Sequence, residues 1–485
     1  MNQLPGAPGA PQRHNGDGGE RQPINPVIPL VLAVAMFMEQ MDSTVIATSL
    51  AAIAADIDTE PVALKLALTS YLLALAIFIP VSGWIADRFG ARVVYRWAIL
   101  VFVLGSIACA FSDSLFAFVL SRFVQGMGGA LMTPVGRLVL VRLTPKSQLV
   151  VAMSWLSMPA LIGPITGPPL GGFITTYFSW HWIFIINVPI GLLGIVLATR
   201  FLPRTGYRDQ RRIDTRGFVL AAIAFSGVVF GLSVISLPAL PPVYGIATLA
   251  AGLGASAAYV WHARRTPDPL LDPRILKNKL FAITLWGGSL FRIGVGAFGF
   301  LAPLMLQLCF GYSPFEAGMI TFVTAVGAII VKIIIAPLLG RFGYRPLLLF
   351  AAIASALSVA AMGVLPLGTP AAVFLAVLLA GGFVRSVYFT ADSSLIYAAV
   401  EEADMSQATA IISVTQQLTI ALGVALAGIV LELGANVTDQ GLDLQTFQVT
   451  FLTMGVLTAL AFFWILALPR DAGAEVSGHS LPPVH

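Results

Sequence analysis

Charge is scarce in this sequence. Asp, Glu, Lys and Arg make up 10% of its 485 residues, where a soluble domain carries about a quarter; 58% are hydrophobic and the mean hydropathy is +0.89. A chain so poor in polar side chains cannot cover itself in water, which excludes a soluble fold. Cysteine is scarcer still: Cys109 and Cys309 both lie in or beside apolar runs, which excludes a disulfide framework and a cysteine-based metal cluster. Neither the H-E-x-x-H spacing of a zinc site, nor a nucleophile constellation, nor a G-x-x-x-x-G-K-[ST] phosphate loop occurs. An enzyme and a nucleotide-driven machine are therefore set aside, and no metal or cofactor is expected. No charged segment, short apolar core and cleavage site precede the first apolar run, so that run is expected to be retained. Residues 1–25, rich in Gly, Pro, Asn and Gln, read as a disordered tail.

Apolar runs are abundant instead. Stretches of roughly 20 residues, the length that crosses about 30 Å of hydrocarbon as helix, recur from Pro26 to Leu468. They predict an all-α membrane protein with about fourteen spans: 27–50, 63–83, 93–111, 114–140, 149–173, 181–200, 216–236, 242–262, 280–306, 315–339, 346–366, 370–399, 407–432 and 447–467. The 27 Lys and Arg residues check this division independently, because cytoplasmic loops collect basic residues. With a cytoplasmic amino terminus, 21 of them fall in the two tails and six inner loops. These include Arg88, Arg92 and Arg96, Arg142 and Lys146, six from Arg200 to Arg216, five from Arg264 to Lys279, and Arg341 and Arg345. The seven outer loops hold none, and the other six fall within spans: Lys65, Arg122, Arg137, Arg292, Lys332 and Arg385. Lys65 and Arg137 lie close enough to a helix end to snorkel. The inner loop with Glu401, Glu402 and Asp404 has no basic residue, and acidic residues weigh little in this rule. Short basic loops facing an anionic leaflet account for the net charge of +4 without nucleic acid.

An internal repeat is visible. Arg88-Phe89-Gly90-Ala91-Arg92 returns as Arg341-Phe342-Gly343-Tyr344-Arg345, an offset of 253 residues, and the same offset carries Gly128-Gly129 onto Gly381-Gly382. The repeat pairs spans 1–6 with spans 9–14 and leaves two spans as an insertion. The expected domains are a cytoplasmic tail 1–25, a six-helix bundle 26–200, an inserted helix pair 201–279, a second six-helix bundle 280–468 and a cytoplasmic tail 469–485. A parallel repeat of this kind places a site between its halves near the midplane.

Four motifs carry a resemblance to a known family. Gly83-Trp84-Ile85-Ala86-Asp87-Arg88-Phe89-Gly90-Ala91-Arg92 is similar to G-x-x-x-D-R-x-G-R-R, with Ala91 in place of one basic residue. Arg122 to Ala130 resembles R-x-x-Q-G-x-G-x-A, and Gly163 to Gly172 resembles G-x-x-x-G-P-x-x-G-G. Trp180-His181-Trp182-Ile183-Phe184 with Asn187-Val188-Pro189-Ile190-Gly191 is similar to W-R-W-I-F-x-I-N-x-P-x-G, its two Trp standing where an aromatic belt is expected. In span 1, Met41 to Ile46 is close to L-D-x-T-I-V-N-V-A-L-P, with Ala47 and Ala51 where Asn and Pro are usual. Together these resemble the major facilitator superfamily, specifically its fourteen-helix drug:proton antiporter branch. The resemblance implies a major-facilitator-type fold in a bacterial inner membrane with both termini cytoplasmic. It also implies export of a small organic compound or drug in exchange for protons by alternating access. Within it Gly83, Asp87, Arg88, Gly90 and Arg92 form a cytoplasmic gating loop, while Gly163, Gly167, Pro168 and Gly171 belong to the antiporter motif. An outer-membrane export partner is an option the sequence leaves open.

The intramembrane charges supply the candidate chemistry. Glu39 and Asp42, three apart on one helix face, are costly to bury and need compensation. Asp42 and Arg122 each lie about eight residues, roughly 12 Å, below the outer surface and form a first candidate pair. Glu39, Asp42 and Arg122 are thus the candidates for proton coupling. Arg292, Lys332, Arg385 and Asp392 form a candidate substrate or charge network, with Lys332 and Asp392 at equal depth as a second candidate pair. Acids in one half and an excess of bases in the other suit a zwitterionic or anionic molecule at least as well as a cation. Proton-coupled uptake of an organic anion is the alternative. His181 and His262 sit at span boundaries.

Overall fold

The computed structural model describes residues 27–144, 149–203, 213–235, 241–401, 404–438 and 441–474. The expected tail 1–25, Lys146, Arg204, Arg208, Arg211, Arg212, Glu402 and residues 475–485 lie outside the described residues.

Among the described residues fourteen long helices follow one another where the apolar runs predict them: α1 Val27–Thr48, α2 Pro61–Phe89, α3 Ala91–Ala110, α4 Leu115–Leu143, α5 Leu149–Tyr177, α6 Trp182–Phe201 and α7 Thr215–Ile235, then α8 Pro242–Arg265, α9 Lys279–Leu308, α10 Pro314–Phe342, α11 Tyr344–Met362, α12 Ala371–Ala398, α13 Met405–Thr438 and α14 Leu444–Ile465. Thirteen are long and apolar enough to cross a membrane over their described residues; the other is α5, 29 residues long, with several side chains outside them. Polar residues begin helices where orphan backbone N–H groups need acceptors: Ser114 caps α4, Asn278 caps α9, Asp443 caps α14, and Ser313 with Glu316 makes a capping box on α10.

The packing of the first six helices recurs in the last six. α1 lies against α5 and α6, and α4 against α2 and α3, as α9 lies against α13 and α14, and α12 against α10 and α11. The repeat reaches single residues. A side chain at Gly129 would meet Tyr71, and one at Gly382 would meet the backbone of Thr324, the residue 253 further on. The tight turns ending α2 and α10 both use a glycine at positive φ, Gly90 (87°) and Gly343 (75°), a region closed to most side chains. Beyond each turn an arginine reaches the end of its set's last helix: Arg92 donates to the Thr199 carbonyl on α6, and Arg345 to the Leu466 carbonyl after α14, at 2.9 Å.

The two sets touch through pairs that exchange under the repeat, α5 with α10 and α2 with α13. α7 and α8 pack on one another, and α7 lies against α2 and α13. At the end away from the basic loops one apolar core takes in both sets, Val45, Leu50 and Ile53 with Leu301, Met305 and Leu431. Toward the basic loops the cores separate, one from residues of 27–202 and another from residues of 280–472. A smaller cluster around Ala76 and Ile411 bridges them there.

Two expectations change at this level. The motif Gly83 to Arg88 is not a loop: after a 3-10 turn at Ile79–Val81, Ser82–Phe89 continues as helix, so the connection shrinks to Gly90. Of the two expected belt tryptophans only Trp182 is exposed; Trp180 is buried, donating to Asp56 at 3.1 Å and stacking on His181.

Candidate functional site

A closed polar cluster lies inside the first six helices. α1 supplies Asp42, α3 Ser106, α4 Arg122 and Gln125, and α6 Asn187, and all five are buried. Arg122 Nη1 donates to Asp42 Oδ2 at 2.7 Å, while Gln125 Nε2 and Asn187 Nδ2 both donate to Oδ1 at 2.8 Å. The same two amides donate to Ser106 Oγ, at 3.2 and 2.9 Å, and Ser106 donates on to the Phe184 carbonyl at 3.0 Å. Arg122 Nη1 also donates to Gln125 Oε1 at 2.5 Å, and the guanidinium lies over the Tyr71 ring, 4.3 Å from its centre. Asp42 therefore accepts three hydrogen bonds, one charge-assisted.

Glu39 is held differently. One turn along α1 and also buried, it accepts from Thr133 Oγ1 at 2.6 Å. Among the described residues no cation forms an ion pair with it; Arg137, one turn beyond Thr133, is exposed. Two carboxylates on one helix face thus meet different environments, one bonded to a cation and two amides, the other to a single hydroxyl with the charge of exposed Arg137 beyond it.

The antiporter-type glycines hold α5 against this helix. Side chains at Gly163, Gly167 and Gly171 would collide with Gln40 and Met41, Thr44, and the Val45 carbonyl. Gly172 meets the Pro314 backbone of α10, and Gly318 of α10 meets the carbonyl of Pro168. Missing side chains let both contacts close to backbone distance. At the basic end Asp87 pairs with Arg142 of α4 at 2.5 Å, both partly exposed, Arg88 is exposed, and Gly83 faces open space.

The last six helices bridge the equivalent pair of helices with reversed polarity: the base, Arg292, is on α9 and the acid, Asp392, on α12, 2.8 Å apart and buried. This corrects the pairing of Lys332 with Asp392. Equal depth does not fix rotation: Asp392 turns toward α9, while Thr390, two residues earlier, faces α10 and accepts from Lys332 Nζ at 3.0 Å. Arg385 faces α9, its guanidinium 3.9 Å from the Phe298 ring centre, and Nε donates to the Gly381 carbonyl at 3.0 Å.

Lys65 requires a second correction. Rather than snorkelling it is fully buried and pairs with Glu432 of α13 at 2.8 Å, joining the two sets of helices near the end away from the basic loops. Its stem runs where Gly428 has no side chain. Sequence reasoning also leaves out Gln125, Asn187, Ser106 and Glu432. Gln125 and Asn187 stand at fixed positions of the quoted motifs, and Glu432 is a carboxylate within an otherwise apolar run, so both signals were present.

The motifs, the repeat and the two-set packing decide the class together with the comparisons. The Major Facilitator Superfamily profile matches residues 32–263 and 284–482. The chain belongs to the Major Facilitator Superfamily. It is 36% identical over 444 residues to a protein of Pectobacterium atrosepticum named "Putative multidrug resistance protein MdtD", covering 91% of this chain and 95% of that one. A protein of the same name from Cronobacter sakazakii is 35% identical over 448 residues, covering 91% and 94%. Among solved structures a D-xylose-proton symporter superposes with a TM-score of 0.67 at 16% identity, over 92% of this chain and 98% of that one. A POT family transporter in complex with 5-aminolevulinic acid gives 0.69 at 15% identity, over 93% and 96%. At such identities these two show the fold alone. The superfamily membership makes the chain a multi-pass membrane transporter and not an enzyme.

Proposed function

We propose that this transporter exports small, largely apolar organic compounds in exchange for protons, by alternating access in a bacterial inner membrane with both termini cytoplasmic. The MdtD-named relatives, which align over nine-tenths of the chain, support a multidrug range. Residues 26–200 and 280–468 act as two bodies linked by 201–279, which rock about the core they share at the end away from the basic loops.

One observation carries the proton coupling: Glu39, buried in α1, accepts from one hydroxyl and forms no ion pair among the described residues, a turn from the Asp42–Arg122 ion pair. In this reading Asp42, Arg122 and the two amides hold α1, α4 and α6 in register. Glu39 takes the proton that substrate displaces. Asp87, Arg88, Arg92, Gly83 and Gly90 act at the cytoplasmic gate, and Gly163, Gly167, Pro168 and Gly171 keep α5 close enough to α1 to relay its movement.

The test is proton release. Lipophilic cations, zwitterions and organic anions are added to the purified protein in weakly buffered detergent with a pH indicator. Antiport predicts protons released on binding, and none released by Glu39→Gln. A second reading, symport of an organic anion, is favoured by the basic excess of Arg385 and Lys332 in the last six helices. It predicts proton uptake on binding, which would overturn the first.

A further inference from the structure

Four basic side chains are buried in the described membrane helices: Lys65, Arg122, Arg292 and Arg385. Three have a carboxylate at 2.7 to 2.8 Å. Arg385 has none among the described residues, and its Nη2 is buried without an acceptor. Asp392, two turns along the same helix, is committed to Arg292. A buried charge without a partner is unfavourable enough that its usual companion is an ion or a ligand.

The surroundings of that guanidinium are built for one. The Phe298 ring faces it from α9. Gly381, one turn earlier on α12, lets the guanidinium edge and Ser358 of α11 come close to one another: a Cβ there would lie 3.2 Å from Arg385 Nη2 and 3.1 Å from Ser358 Oγ. Ser355, three residues before Ser358 and on the same face of α11, carries a buried hydroxyl with no partner. A guanidinium edge, an aromatic face and hydroxyls therefore converge between α9, α11 and α12.

We propose that Arg385, Phe298 and the Ser355–Ser358 face of α11 form a subsite for a single negative charge, a carboxylate carried on an apolar or aromatic body. One guanidinium, with no second cation beside it among the described residues, neutralises a monoanion and leaves a phosphate dianion short of charge. The ring of Phe298, held edge to face by Phe451 at 6.2 Å, supplies the apolar side of the subsite. The assignment rests on the transport reading and narrows its substrate class. Its test is binding, so it stands or fails separately from the direction of transport.

The full-length protein in nanodiscs is unfolded thermally in a buffer whose anion is a bulky sulfonate, with benzoate, benzamide or chloride added at matched ionic strength. Benzoate is expected to raise the Tm and the isosteric neutral amide to leave it unchanged, with chloride acting more weakly and competing with benzoate. Arg385→Met is expected to weaken benzoate binding about 10- to 100-fold. Without added anion it should unfold at or above the wild-type temperature, because it removes an unpaired buried charge. Arg385→Lys should retain part of the benzoate effect. Equal shifts with benzoate and benzamide, or a benzoate shift that survives in Arg385→Met, would overturn the subsite. So would an anion-free Arg385→Met that unfolds early, which would make Arg385 structural. A chloride effect stronger than that of benzoate would assign the site to an inorganic ion and overturn its place in substrate recognition.

Discussion

At the scale of single residues, Glu39 and Asp42 show how environment separates two carboxylates of one helix face. Asp42→Asn leaves Arg122 buried without its counter-ion and should destabilise the protein by about 3–5 kcal/mol. Glu39→Gln keeps the Thr133 contact available and should stay within about 1 kcal/mol of wild type. Denaturant titration in mixed micelles measures both; similar losses would mean that Glu39 is as tightly integrated as Asp42. The sequence exposed both acids and Arg122, because an ionisable residue inside an apolar run is conspicuous. It did not expose the amides completing the cluster, since Gln125 and Asn187 are neutral and their role depends on which helices meet. The pairing of Lys332 with Asp392 failed for the same reason: depth along a helix is legible from sequence, and rotation about its axis is not. Lys65 near a helix end looked solvated until α13 was packed over it.

At the scale of elements, small residues decide which helices close together. Gly171→Leu must push α5 off α1, since even a Cβ there collides with the Val45 carbonyl and lies 2.8 Å from Thr48 Oγ1. Lower thermal stability and lost transport are expected. Gly83→Ala meets nothing within 4 Å and should raise stability by up to about 1 kcal/mol through helix propensity. The order would reverse if the α5 glycines merely tolerated replacement. The hairpin of α7 and α8 carries an acid-sensitive clasp before α7, where Asp214 accepts from His262 Nε2 at 2.8 Å and from the Gly217 N–H at 2.8 Å. Partial burial pushes this carboxyl up, but the Gly217, His262 and Leu270 hydrogen bonds together hold it below the usual Asp value. A depressed folded pKa stabilises fully above the unfolded value, about 3.9, and that contribution is lost as pH falls through the lower folded value. Limited proteolysis of the segment between α8 and α9, where Leu270 N–H donates to Asp214, should therefore quicken only below about pH 4, and Asp214→Asn should abolish the pH step. Helix positions and the repeat were legible at this scale because bilayer thickness fixes length and basic residues mark one side. The helical continuation through Gly83 to Phe89 was not, since a charged end of a span reads as a loop.

At the scale of the whole molecule, the contacts between the two sets of helices govern which end is closed. Lys65 and Glu432 tie α2 to α13 at the end away from the basic loops. Opening that end requires them to part. Lys65→Met or Glu432→Gln alone removes one side of this ion pair and should expose that end to cysteine-reactive probes. The double substitution should recover part of the closure, with a coupling energy of about 1–3 kcal/mol. Additive effects would show that the pair does not act as a tether.

The central claim is that substrate and protons move in opposite directions through one site containing Glu39. The most direct measurement uses liposomes holding the purified protein under an imposed pH gradient, with substrate flux followed in wild type and Glu39→Gln. The account predicts substrate movement against the proton flow in wild type, and no gradient-driven movement in the variant although substrate still binds. Movement of substrate in the same direction as protons, or gradient-driven exchange that persists in Glu39→Gln, would contradict it.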